Sequence, residues 1–216
     1  MKEAYFTPDR VEEQATQMLL GIENSIRQHQ MRIAKGRAAL LIVDMQDYFL
    51  QESSHAFVPS APAIIPAVKM LKQAFETTQQ QIILTRHINS PGDAGMMGRW
   101  WKELIDRDNP LSRITECLNT DSDTILEKTQ YDAFHKTALG NILETRKVRQ
   151  LVICGLIANL CCETTARSAF VRGYEVVLAV DGTATYNADL HRATLLNLAH
   201  GFASLVLTKH LLAELQ

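Results

Sequence analysis

Residues 151–166 read LVICGLIANLCCETTA. The run 151–154 is short, apolar and partly β-branched, as expected of a strand buried on both faces. Gly155 interrupts it. A helical pattern follows, with the small residues Cys161, Thr165 and Ala169 on one stripe and Glu163 and Arg167 off it. Asn159 is a reasonable N-cap, because its side chain accepts from the free amides of a first turn. The stretch predicts strand, tight turn and helix, with Cys161 at the helix start. Unpaired amides and partial positive charge there favour a thiolate over a thiol, and the same amides can hold an oxyanion. The other use of such a cysteine is as a small buried hydrophobe.

Outward from this stretch, strands and helices alternate. The run 38–43, AALLIV, predicts a first strand in the middle of a parallel sheet, with Asp44 directly at its carboxyl end. That edge is where open α/β sheets bind ligands, although a carboxylate there can also cap a helix, and Asp47 competes with Asp44 for a role as base. Ile64, Val68, Leu71 and Phe75 mark a helix, 81–85 a second strand ending in Arg86-His87, and 124–127 a third strand delivering Lys128. Phe134, Ala138, Leu139, Ile142 and Leu143 form the next apolar helical face. Residues 176–180 predict a fifth strand, 205–207 a sixth, and 211–215 a closing turn of helix. The segment 89–109 predicts a lid or pocket wall. Trp100 and Trp101 within it cannot both point inward from one helix, so one faces substrate or a partner subunit.

Three separated motifs carry a resemblance. Gly155-x-x-Ala158-x-x-Cys161, followed by Thr165-Ala166 and Gly173-Tyr174-Glu175-Val176, resembles the nucleophile region of the isochorismatase-like cysteine hydrolases. Asp44-Met45-Gln46-Asp47-Tyr48-Phe49 and Lys128-Thr129-Gln130-Tyr131-Asp132-Ala133-Phe134 match that family's aspartate and lysine motifs, in the expected order. The family includes isochorismatases, nicotinamidases, N-carbamoylsarcosine amidohydrolases and ureidoacrylate amidohydrolases. The resemblance implies a three-layer α/β/α fold with a six-stranded parallel sheet in the order 3-2-1-4-5-6. It also implies a catalytic set of Asp44, Lys128 and Cys161, a cis peptide at Leu156–Ile157, and an oxyanion hole from the backbone amides of Ile157 and Cys161. It prefers Asp44 to Asp47 as the base.

Under that reading Cys161 attacks the carbonyl of a small amide, carbamoyl or ureido group, Asp44 serves as general base and acid, and Lys128 stabilises the charges. Phe49, Trp100, Trp101 and Tyr131 are expected to wall the substrate, and His87 to wall or contact it. Ala158 and the motifs around Asp44 and Lys128 lean towards isochorismatases, which usually lack the cysteine and cleave a vinyl ether by protonation from the aspartate. A redox or binding module using Cys161 and Cys162 is a third reading. Cys162 faces away from Cys161 by about 100° and is expected in the core. Nicotinamidases of the family bind zinc or iron through an aspartate and nearby histidines, but no Asp-x-His arrangement occurs here, so neither a metal nor a cofactor is expected.

The 216 residues suit one α/β domain, 37–216, preceded by a helical extension, 1–36. In the extension Thr7 is a candidate cap and Pro8 a first helical residue, with Val11, Met18, Leu19, Ile22 and Ile26 on an apolar face and Glu12, Glu13, Arg27 and Gln28 off it. That face either lies on its own domain or joins subunits of a homo-oligomer, a dimer or tetramer. Net charge −2 with scattered basic residues argues against nucleic acid as a partner. Apolar runs are too short for a membrane span, and the four cysteines show neither zinc nor disulfide spacing. A cytoplasmic enzyme acting on a small molecule is expected.

Overall fold

The sheet grows from the run AALLIV. In the computed structural model, which describes residues 1–22, 31–120 and 123–215, this run is β1 (Ala38–Val43), buried along its whole length. β2 (Gln81–His87) and β4 (Gln150–Leu156) flank it in parallel. β3 (Thr124–Lys128) lies outside β2, while β5 (Glu175–Ala184) and β6 (Ser204–Val206) continue beyond β4. The sheet is therefore all-parallel in the order 3-2-1-4-5-6, as the resemblance implied. Winding reverses between β1 and β4, which opens a crevice at their carboxyl ends.

Crossover helices pack against the parallel sheet. α1 (Val11–Leu20) packs against β5, a single turn α2 (Asp47–Leu50) follows β1, and α3 (Ala61–Thr77) lies across the middle strands. Ile64, Val68, Leu71 and Phe75 of α3 are all buried, because their spacing keeps them on one face. After the one-turn α4 (Met97–Trp100) and α5 (Leu139–Thr145) come α6 (Glu163–Val171), α7 (Ala188–Gly201) and α8 (Thr208–Leu215). α6 and α7 cover the β5 and β6 side, and α8 packs on α3.

Several local expectations shift. Thr7 and Pro8 lie in a turn ahead of α1, which starts only after Arg10; the Thr7 amide is taken by Gln14 Oε1 at 3.0 Å. Ala15 and Met18 are buried on the chain's own β5 side, and Phe6 and Ile33 join the same core. Ile26, Arg27 and Gln28 lie outside the described residues. Phe134 is buried in a turn rather than a helix: Lys136 has φ 53°, and Asp132 and Thr137 bond the local amides, so α5 starts at Leu139.

The strand β4 runs through Gly155 instead of ending before it. Gly155 has φ 108°, and a Cβ there would lie 2.1 Å from the Val43 carbonyl oxygen. Only glycine fits this close approach of β4 to β1. The Leu156–Ile157 peptide is cis. One turn of π-helix, Ala158–Cys162, then precedes α6. Asn159 does not cap a helix; its Oδ1 accepts from the Thr185 hydroxyl at 2.5 Å.

Candidate active site

Four neighbouring strands each send one group to the same point. Asp44, just past β1, has φ 46° and a fully buried side chain. Its amide donates to Thr85 Oγ1 (3.0 Å), and that hydroxyl donates back to Asp44 Oδ1 (2.6 Å). The second oxygen, Oδ2, lies 2.7 Å from the Nζ of Lys128, the last residue of β3, whose side chain is also fully buried. The ammonium donates as well to the Gln130 carbonyl (3.0 Å) and His87 Nδ1 (3.2 Å), and it meets Cys161 Sγ at 3.4 Å. Four neighbours for three N–H groups leave the sulfur the loosest partner.

The charges follow from these contacts. Burial by itself lowers the Lys128 pKa, but Asp44 and Cys161 beside it more than offset that and raise it, so it stays an ammonium. His87, at the end of β2, is pushed down to about 4 by burial and then by the Lys128 charge, so the ring is neutral at pH 7. Its Nε2–H donates to Asn89 Oδ1 at 2.6 Å, which leaves Nδ1 to accept from Lys128. Asn89 is oriented in turn by donating to the Thr129 carbonyl at 2.8 Å.

At the cysteine, burial outweighs the local helix-start argument for a thiolate. Cys161 sits in the π-turn and is only 5% exposed. Burial pushes its thiol up to about 12; Lys128 lowers it and Asp44 raises it. The resting group is a thiol, and the carboxylate rather than a helix dipole is the group near enough to remove its proton. Cys162 is buried in the core, where burial raises its pKa further.

Above these groups lies a cavity of about 280 Å³. Phe49, His87, Trp101, Tyr131, Ile157 and Cys161 line it, and so do residues that sequence reading missed: Lys2, Tyr48, His55, Asn89, Leu160 and Tyr186. Trp101 Nε1 donates to the Tyr131 hydroxyl at 2.7 Å, and the rings meet edge to face. Trp100 does not belong to the wall. It ends α4 and is 75% exposed, whereas Trp101 turns to extended backbone, so the two rings part. Asp47 is outside the lining as well, held by Arg113 at 2.8 Å. A strand-end alternation, Thr85-Arg86-His87-Ile88-Asn89, was the available signal for Thr85 and Asn89, since residues two apart share a face.

Asp44, His87 and Cys161 offer ligand atoms all within 4.8 Å of one another, the grouping a metal ion would need. Lys128 Nζ contacts all three, so the chain itself supplies the cation at that point. Both ring nitrogens of His87 are also engaged. This donor set does not fit a resident metal.

A doubly wound parallel sheet carrying a buried cysteine, carboxylate and ammonium at its carboxyl edge defines an α/β cysteine hydrolase. The chain belongs to the isochorismatase family: residues 38–210 match the family model of the Isochorismatase domain. It is 40% identical over 174 residues to nicotinamidase 3 of Arabidopsis thaliana, covering 78% of this chain and 84% of that one. It is 30% identical to enterobactin synthase component B of Escherichia coli K12 over 82% of this chain, but spans only 62% of that protein's length. The crystal structure of a cysteine hydrolase from Pseudomonas syringae pv. phaseolicola 1448A superposes with a TM-score of 0.83 at 28% identity, covering 86% of this chain and 95% of that one. The chain is accordingly a hydrolase of this family. Among the described residues no helix is long and apolar enough to cross a membrane.

Proposed function

We propose that the chain hydrolyses a small primary amide, or a carbamoyl or ureido group, through a thioester on Cys161. The observation that carries this is the buried Lys128 ammonium in contact with both Asp44 Oδ2 and Cys161 Sγ. As the sulfur attacks the carbonyl carbon, Asp44 takes the thiol proton. Lys128 orients the carboxylate beforehand and offsets the anion that forms. The backbone amides of Ile157 and Cys161 serve as oxyanion donors. Collapse of the tetrahedral intermediate breaks the C–N bond, and protonated Asp44 returns the proton to the leaving nitrogen. Water activated by Asp44 then hydrolyses the thioester, which releases the acid and restores the thiol.

The aromatic wall of Phe49, Trp101 and Tyr131 suits a flat apolar body next to the amide. Similarity to a nicotinamidase supports a heteroaromatic carboxamide as the first substrate to assay. The test is ammonia release from nicotinamide, benzamide and a ureido panel, with mass spectrometry of a covalent adduct on Cys161. An adduct mapped to this residue in a protein that turns over supports the reading. No ammonia from any member and no adduct would sink it.

The isochorismatase-like residues Ala158 and Tyr131 favour one second reading, vinyl-ether cleavage with Asp44 as proton donor. Isochorismate turnover that tolerates Cys161→Ala but not Asp44→Ala, with no amide turnover in the unaltered protein, would install it instead.

A further inference from the structure

The pocket has a wall that comes from the far N-terminus. Residues 1–6 lie ahead of the matched domain, and Lys2 among them lines the cavity. Tyr5 and Phe6 amides both donate to Ser60 Oγ at 3.0 Å, and Phe6 is buried beside His191. The Tyr5 hydroxyl accepts from the Thr185 amide (2.9 Å) and donates to His191 Nδ1 (3.0 Å), a ring held neutral by complete burial. The Glu3 amide donates to the Tyr186 carbonyl (2.8 Å), and its carboxylate accepts from the first amide of α7 (2.8 Å).

These contacts hold Lys2 at the cavity. Its ammonium donates to the His55 carbonyl (2.5 Å) and the Phe57 carbonyl (2.8 Å), and it stands 4.6 Å from the centre of the Tyr186 ring. Two of its three donors go to these carbonyls, and the third N–H meets only the ring and solvent. Among the described residues no carboxylate pairs with it. Glu103, on the same wall, is instead engaged by His55 at 3.2 Å and Lys102 at 3.7 Å. An exposed ammonium with no carboxylate partner among the described residues thus lines the same cavity as Cys161.

We propose that Lys2 is a specificity-determining contact of this pocket, selecting amides that carry a carboxylate at the end away from the scissile carbonyl. This rests on the amide-hydrolase reading above. The carboxylate takes the third N–H and supplies the missing counter-charge.

Calorimetry on the Cys161→Ala protein tests this with 4-carbamoylbenzoate and terephthalamide, which differ only in a carboxylate against a second amide. The carboxylate ligand should bind about fivefold tighter, a modest ratio because the ammonium is partly solvated. Adding Lys2→Met should bring the two ligands within about twofold, and Lys2→Arg should restore the preference. Binding of terephthalamide also reports that the variants are folded. Equal affinities in the Cys161→Ala protein, no binding of the carboxylate, a preference that survives Lys2→Met, or equal weakening of both ligands would each overturn the proposal. Binding is read without turnover, so a lack of hydrolysis in the unaltered protein counts against the amide-hydrolase reading alone.

Discussion

Lys128 Nζ and Asp44 Oδ2 stand 2.7 Å apart with both side chains completely buried. Two charges removed from water in this way cost several kcal/mol of hydration each, and their attraction repays that only with good geometry and further hydrogen bonds. Both conditions hold here: Thr85 satisfies the other carboxylate oxygen, and Gln130 and His87 share the ammonium. An apolar pair would fill the same space without that cost. In the proposed mechanism the retained charges act on the sulfur beside them.

Asp44→Asn and Lys128→Met should each lower turnover about a thousandfold, and the double variant should lose little more, because the two act as one unit. Each single variant leaves an uncompensated buried group, so stability should drop by about 3–5 kcal/mol, less in the double variant. Kinetics and urea denaturation of all three read both effects. Losses that multiply in the double variant would mean the residues work independently.

Cys161→Ala should abolish amide hydrolysis while the fold persists, whereas Cys162→Val should keep most of it. Cys162 is walled into the core and makes its contribution through packing. The assay is ammonia release from whichever amide proves active. An active Cys161 variant beside a dead Cys162 variant would reverse the assignment.

The two buried histidines should weaken the fold in acid. His87 and His191 are held to about 4 and about 3, both chiefly by burial, against about 6.5 in an unfolded chain. Between those values the unfolded state binds more protons, so stability is full above about pH 6.5 and falls as pH drops towards 4. The slope approaches about 1.4 kcal/mol per pH unit for each ring. Urea titrations from pH 7 to pH 4 should show this, with a shallower slope in His191→Gln. A flat profile would mean the rings are not neutral in the fold.

Activity should withstand a chelator, changing by less than about twofold after dialysis against EDTA, since Lys128 occupies the point between the three ligand-type groups. Loss of turnover that zinc or iron restores would contradict this.

Much of the fold was legible because it rests on periodicity. The continuous run AALLIV demanded burial on both faces, and the spacing of Ile64 to Phe75 demanded one buried helical stripe. Asp44, Lys128 and Cys161 could be singled out by their place after strands, with the family motif deciding between Asp44 and Asp47. What stayed hidden depends on tertiary contact. Burial overrides the helix-start argument for a Cys161 thiolate, one change of backbone angle separates Trp101 from Trp100, and nothing local connects Lys2 to a cavity whose other walls lie dozens of residues away.

The strand order β3-β2-β1-β4 puts Lys128, His87, Asp44 and Cys161 on four consecutive staves of the sheet. The proposed reactivity is thus a property of the row, and no single staff carries it. Transplanting the segment 151–166 into another doubly wound scaffold would move a cysteine without the carboxylate and ammonium that the proposed chemistry needs. An engineer who wants the chemistry elsewhere must graft a cross-section of the sheet, spanning most of the chain, and not a motif.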